Sequence, residues 1–432
     1  MTRAMRATFA GFVFPDRETP EGPARCADFA PEEVLALASR FRVEDPRGGS
    51  AFPKRGNINL HTFVIEGDRE GRTEAFLLQR INTDVFSRPF RVMRAMVAWT
   101  EAQAAYLEEH PAAKATGWEP IELVAANDGA PFVVDDGPHG WSVWRMMKRI
   151  PDVVEYRSLG EVADPGERLR LAGEVGRGLA LNADLTSRMS LDGLQPSLLG
   201  YRDTRGYFAQ FRAVAAGCAS RKDAAPLLPA DPEVAEATES LYRLSDPAYA
   251  ARIKETALQP YLELIAAAET FGCWLQDAVA SGTVRRTPIH GDTKIENFLF
   301  DRTTGRVRSL VDLDTIMPFT WLADYGDMLR SLCNVAGEKE TDLAEVQVDR
   351  EVADAVRRGF EEAVVEAPAN ELAGMEDAVR AIALELGVRF LTDYLRGDNY
   401  FRLLPTDPPD LNRQRGLVQL TLFERLGGLE RC

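Results

Sequence analysis

Between Pro288 and Asp327 the chain reads PIHGDTKIENFLFDRTTGRVRSLVDLDTIMPFTWLADYGD, and no other stretch restricts its folding as much. Two short apolar runs, 297–300 and 307–314, flank the turn sequence AspArgThrThrGlyArg at 301–306. Runs joined by so short a turn are expected to pair as a hairpin. Ahead of them, ThrProIle leads a strand into the tight polar loop His290-Gly291-Asp292. The hairpin returns Asp312 toward Asn297 and Asp292.

That convergence has a chemical meaning. A lone His-Gly-Asp is more often an ordinary turn. An Asn five residues after Asp292, and an Asp fifteen residues after that Asn, make a pattern that turns alone do not require. One carboxylate beside two oxygen ligands suits phosphoryl transfer from a magnesium-bound nucleotide to a hydroxyl. Asp292 fits the group that orients the hydroxyl and takes its proton. Asn297 and Asp312 fit magnesium ligands, and Asp314 either assists the metal or orients a neighbour. Lys294 either neutralises the transferring group or faces solvent. His290 is expected to brace the loop backbone, and Asp324 to cap or anchor it. A zinc centre is not expected, because His61, His110 and His139 show no ligand-like clustering with His290.

The rest of the composition narrows the class. A chain of 432 residues is too long for one simple core and fits two lobes. A formal charge of −16 disfavours nucleic-acid and anionic-membrane partners but leaves a metal-bound nucleotide open. The five cysteines are scattered, without metal or disulfide spacing. The apolar run near the N-terminus is short, with Asp16 and Glu18 following, so a secretory signal is not expected. The expected setting is cytoplasmic, with oligomeric state open.

Residues 1–150 read as an α+β lobe. Helices are expected at 30–41 and 88–109. Strands are expected at 55–65, 73–81, 119–125, 131–135 and 140–150, the first two joined through GluGlyAspArgGluGlyArg. A polar turn with Gly56, Asn57 and Asn59 precedes the hairpin and is the candidate nucleotide side, with Gln79, Met146 and Met147 on the strands. Residues 151–432 read as a mostly helical lobe, with helices at 166–184, 204–217, 232–245, 254–281, 339–366, 370–395 and 413–426.

HGDTKIENFLF followed by SLVDLDTIMP resembles the aminoglycoside and choline phosphotransferase superfamily. Longer runs at 56–59, 77–86, 314–318, 324–330 and 387–402 are similar to its N-acetylhexosamine 1-kinase branch. The resemblance implies a bilobal protein-kinase-like fold, with an ATP cleft between the lobes and ATP and Mg2+ as cofactors. It also implies transfer to the anomeric hydroxyl of an N-acetylhexosamine or related hexose. Asp292 would then be the base, Asn297 and Asp312 the metal ligands, and Arg389 and Tyr400 the sugar contacts. Asp203 and Thr204 match an element of unassigned role. There are departures. The strand lysine of kinase folds is Gln79 here, the helix glutamate is Val97, and the branch's sugar-side histidine is Asn57. Two alternatives stay open: an aminoglycoside, choline-like or other hydroxyl acceptor, and a nucleotide-binding pseudokinase that works through protein partners.

Overall fold

Alternation in ThrPheValIle and AlaPheLeuLeu sets two strands at the centre of a sheet. The computed structural model describes residues 8–9, 11–15, 28–53, 58–59, 61–244 and 247–427. Its contacts divide the chain into two units. One comprises the chain up to Glu155 together with Leu185–Leu198 and Asn297–Pro318. The other comprises Tyr156–Asp184, Leu199–Glu296 and the chain from Phe319 onward.

In the first unit the strands are β1 (Glu44–Ala51), β2 (His61–Arg69), β3 (Arg72–Arg80), β4 (Val133–Gly137) and β5 (Gly140–Lys148). They form an antiparallel sheet in the order β1-β2-β3-β5-β4. The β2–β3 loop expected over 66–72 shrinks to Glu70 and Gly71, with Arg69 paired to Arg72. Both turn residues have positive φ, 51° and 75°, as a two-residue hairpin turn requires. β1 escaped sequence reading because Pro46, Gly48 and Gly49 hide its strand character, and an edge strand tolerates them. The strand expected at 119–125 reduces to a single bridge from Leu123 to Met147. Pro120 cannot donate to a ladder.

The pleat sorts the two faces. Phe63, Ile65, Phe76, Leu78, Trp144 and Met146 pack with Val34 and Leu37 of α1 (Pro31–Ala38). Ile81 and Val143 pack with Met93, Met96, Val97 and Trp99 of α2 (Pro89–Glu109). Gln79 and Arg145 are Cα partners across β3 and β5, so they share one position of the sheet. The chain also forms α3 (Pro111–Lys114), β6 (Val153–Val154) and, in the second unit, β7 (Thr287–Ile289). It comes back to the first unit as the expected hairpin, β8 (Phe298–Asp301) and β9 (Val307–Leu310), with β6 added at its edge.

The second unit is helical. Its helices are α4 (Pro165–Thr186), α5 (Thr204–Ala215), α6 (Arg221–Ala224), α7 (Pro232–Thr238), α8 (Gln259–Gly272) and α9 (Trp274–Ala280). They continue as α10 (Trp321–Leu332), α11 (Arg350–Ala363), α12 (Ala369–Leu372), α13 (Met375–Arg396) and α14 (Leu411–Leu426). The helix expected at 339–366 starts only at Arg350, where Asp349 caps it by accepting from Val352 N–H at 3.0 Å. The one expected at 254–281 breaks at Cys273. From Ala381 to Arg396 every residue of α13 is buried, so this helix is enclosed on all sides. Among the described residues no helix is long and apolar enough to cross a membrane.

Helices α4 and α11 touch through backbone. A Cβ on Gly176 would lie 2.0 Å from the Val356 carbonyl oxygen, and one on Gly359 would lie 2.1 Å from that of Gly173. Glycine is otherwise unfavourable inside a helix, so contact geometry selects it here. Gly359→Ala should push the helices apart and destabilise the protein by about 1–3 kcal/mol, as overpacking does, measured as a lower urea-unfolding midpoint.

Candidate active site

In the second unit, β7 ends at Ile289, and the loop that starts at His290 is clamped by its backbone. Asp324, in the first turn of α10, accepts from the N–H groups of His290 at 2.7 Å and Gly291 at 2.8 Å. The Thr293 hydroxyl closes the clamp on the Asp324 carbonyl at 2.5 Å. Burial pushes the Asp324 carboxyl up, opposed by His290 and these two N–H donors. His290 is fully buried, and its Nδ1 accepts from the Asp292 N–H at 3.3 Å.

Asp292 itself is 36 % exposed and takes the Lys294 ammonium on Oδ2 at 3.0 Å. Burial pushes its carboxyl up. The charge and hydrogen bond of Lys294, with His290 and Arg202, outweigh burial and hold it below the usual carboxylate value.

Arg202 is the centre of the clamp and was not anticipated from sequence. Its Nη2 donates to the Gly291 carbonyl at 2.8 Å and to Asp327 at 2.5 Å, and its Nη1 donates to Glu385 at 2.9 Å. The Tyr201 hydroxyl donates to the same Gly291 carbonyl at 2.7 Å. Arg202 adopts φ 58°, the left-handed region, which a non-glycine residue enters at a cost. Burial opposes its charge, but Tyr201, Asp327 and Glu385 reverse that and keep the guanidinium ionised. The Asp203-Thr204 element also gains a structural account. Asp203 caps α5 through Gly206 N–H at 3.1 Å, and the Thr204 hydroxyl donates to Glu385 at 2.6 Å. The sequence did carry a signal: Glu385 is a lone charge within AlaIleAlaLeuGluLeuGlyVal.

Arg389 follows Glu385 by one turn of α13. Its guanidinium lies among the rings of Tyr207 (4.7 Å to the centroid), Tyr201 (5.2 Å), Phe401 (5.3 Å) and Tyr400 (5.5 Å). Its Nη2 is 3.4 Å from the Tyr400 hydroxyl. Tyr201 therefore touches both Arg389 and the carbonyl that precedes Asp292. Asp393, a further turn along, is fully buried. It accepts from Arg396 and from the N–H groups of Tyr400 and Phe401, which holds the Tyr400 turn in place.

Asn297 and Asp312, the two expected metal ligands, stand at the end of the β8–β9 hairpin in the first unit. Phe298 pairs with Leu310, and Val311 N–H donates to the Asn297 carbonyl at 2.8 Å. The ladder thus sets Asn297 beside the segment that continues into Asp312. Asp312 is left-handed, at φ 67° and ψ 55°. Among the described residues no cluster of three His, Cys, Asp or Glu side chains forms. A magnesium ion needs no such cluster when phosphate and water oxygens complete its shell. One amide and one carboxylate oxygen, from Asn297 and Asp312, fit that requirement.

Asp314 is buried in a network of its own. Its Oδ1 pairs with Arg145 Nη1 at 2.5 Å, its Oδ2 accepts from the Asn59 amide, and its carbonyl accepts from Ser197 at 2.6 Å. Gln79 accepts from Arg145 Nε at 3.0 Å and donates to Thr62 at 2.9 Å. Met146 is buried in the α1-side core and Met147 is half-buried. Gly56 and Asn57 lie outside the described residues.

Residues 52–363 match the phosphotransferase enzyme family APH, and the chain belongs to that family. Its fold is the bilobal protein-kinase-like one, with an N-terminal sheet lobe and a larger C-terminal helical lobe. The family groups phosphotransferases that act on small hydroxyl-bearing compounds and typically use ATP and Mg2+. A microcompartment-associated aminopropanol kinase shares the fold at a TM-score of 0.53 and 15% identity, over 92% of this chain and 98% of that one. An ethanolamine kinase of Plasmodium vivax is similar at 0.45 and 10%, over 84% and 78%. A spectinomycin phosphotransferase crystallised with ADP is similar at 0.43 and 10%, over 91% and 99%.

Lys294→Met should raise the acid limb of the pH–rate profile. The depressed Asp292 carboxyl is ionised down to low pH, and without the lysine it protonates at higher pH, so a rate that requires ionised Asp292 is lost sooner on acidification. A limb that stays put would show that Lys294 does not set this ionisation. Arg202→Met strands the buried Glu385 carboxylate, while Asp327 keeps Arg330, and should cost about 3–5 kcal/mol in urea unfolding.

Proposed function

We propose that this chain transfers the γ-phosphoryl group of ATP to a hydroxyl of a neutral sugar, with the anomeric hydroxyl of an N-acetylhexosamine as the leading acceptor. The observation that carries the proposal is how charge is committed around Arg389. Asp393 is engaged by Arg396 and two N–H groups, and Asp398 by Arg252 and Asn412. Glu385 and Asp327 are engaged by Arg202. The charged group left among the rings is the Arg389 guanidinium. It offers hydrogen bonds to hydroxyl or acetamido oxygens, while the rings suit the apolar face of a pyranose. A cationic acceptor would meet like charge there. The resemblance over 387–402 points the same way. An amino-bearing acceptor, such as the one named for the aminopropanol kinase, is the competing reading, and the net charge of −16 favours cations near the chain.

In this reading Asp292, ionised beside Lys294, orients the acceptor hydroxyl and takes its proton. The new O–P bond forms as the bond from the γ-phosphorus to the bridging oxygen breaks, releasing ADP. Bound Mg2+ supplies charge neutralisation on the phosphates. Asn297 and Asp312 are the residues that would hold it.

A panel of sugars, amino alcohols and aminoglycosides scored for ADP release tests the assignment. Neutral N-acetylhexosamines should be turned over and amines should not; preference for amines would overturn it. Asp292→Asn should lower kcat by about 10²–10⁴-fold, the range for a lost general base, with ADP affinity retained. Arg389→Met should raise the acceptor KM by roughly 10–100-fold, as loss of a charged hydrogen bond does, and leave KM for ATP unchanged.

A further inference from the structure

The kinase fold normally sets a cation on the second hairpin strand, paired to a helix carboxylate. Here that strand position is Gln79, and the helix position is the buried apolar Val97. Glu101, one turn further along α2, accepts from Phe9 N–H at 2.7 Å. Yet a buried cation is present one strand over. Arg145 is the cross-strand partner of Gln79, and its side chain is 2 % exposed. Nε and Nη2 both donate to the Gln79 side-chain amide oxygen, and Nη1 pairs with Asp314 and lies 3.5 Å from the Met96 sulfur.

We propose that Arg145 is a positioning residue for the metal-side turn: through Asp314 it holds Asp312 in its left-handed conformation, ready to bind the nucleotide's divalent cation. The proposal rests on the reading of Asp312 as a metal ligand. The geometry is specific. A left-handed aspartate persists only where its surroundings over-determine it. Leu313 is locked in the α2-side core. Asp314 is fixed at three points, by Arg145, by the Asn59 amide and by the Ser197 hydroxyl on its carbonyl. Asn59 also accepts from Asn82 N–H at 2.8 Å, so Asn82 is tied through Asn59 to the same carboxylate. Burying an ion pair gains little stability over apolar side chains of similar volume. Holding one backbone conformation is a use that apolar side chains would not replace.

The decisive variant therefore removes the pair without stranding a charge: Arg145→Met combined with Asp314→Leu. ADP affinity is measured calorimetrically with and without Mg2+, alongside a thermal melt. The variant should stay folded and bind metal-free ADP as the parent does. The gain in affinity that Mg2+ confers should fall at least tenfold. An undiminished gain in the folded variant overturns the proposal. Asp312→Asn separates the two readings. If it leaves the Mg2+ gain intact, the metal-ligand reading itself fails. If it abolishes the gain while the double variant keeps it, only the role of Arg145 fails. Should the double variant not fold, Ser197→Ala decides: a gain reduced at least threefold supports the proposal, and an unchanged gain overturns it.

Discussion

A guanidinium taken out of water must be met by partners, and the loop after β7 depends on one that is met at both terminal nitrogens. Arg202 spends its donors on two carboxylates and one carbonyl, that of Gly291. The residue after that carbonyl is Asp292. The pairing of both terminal nitrogens thereby becomes a constraint on the backbone beside Asp292. It also accounts for the left-handed φ at Arg202, since the surrounding bonds offset that local strain.

Helix α13 carries the constraint onward. Glu385, Arg389 and Asp393 recur every four residues and share one face. The first meets Arg202, the second lies among four aromatic rings, and the third holds the turn that presents Tyr400. A helix enclosed along sixteen consecutive residues has little room to shift, so these three groups keep fixed spacing. Close contacts through Gly387 and Gly416 bring α14 against it.

Much of this was legible in the sequence, for physical reasons. The β8–β9 hairpin announced itself through a short polar turn between apolar runs, and with it came Asn297 beside Val311, the residue before Asp312. Helix α2 followed from periodicity and Pro89. What stayed hidden was set by tertiary pairing. β1 is held as an edge strand despite Pro46 and two glycines, and the polar residues 66–69 stay in strand because the turn fixes their register. Arg145 and Arg202 gave no local sign of their partners, which lie 169 and 125 to 183 residues away along the chain. Buried charge is decided by what meets it, and that is not a property of a short window of sequence. Asp314 shows the same limit: its spacing suggested that it assists the metal or orients a neighbour, and which neighbours it meets, Arg145 and Asn59, was not legible.

Val97 has one more consequence. In many kinases the helix that covers the sheet works as a lever: swinging it outward parts a lysine from a glutamate and idles the enzyme. In this chain the corresponding position on α2 is a hydrocarbon side chain in the core, and the sheet cation finds its carboxylate on the Asp312–Asp314 turn instead. A displacement of α2 would have no such lysine–glutamate pair to part at that position.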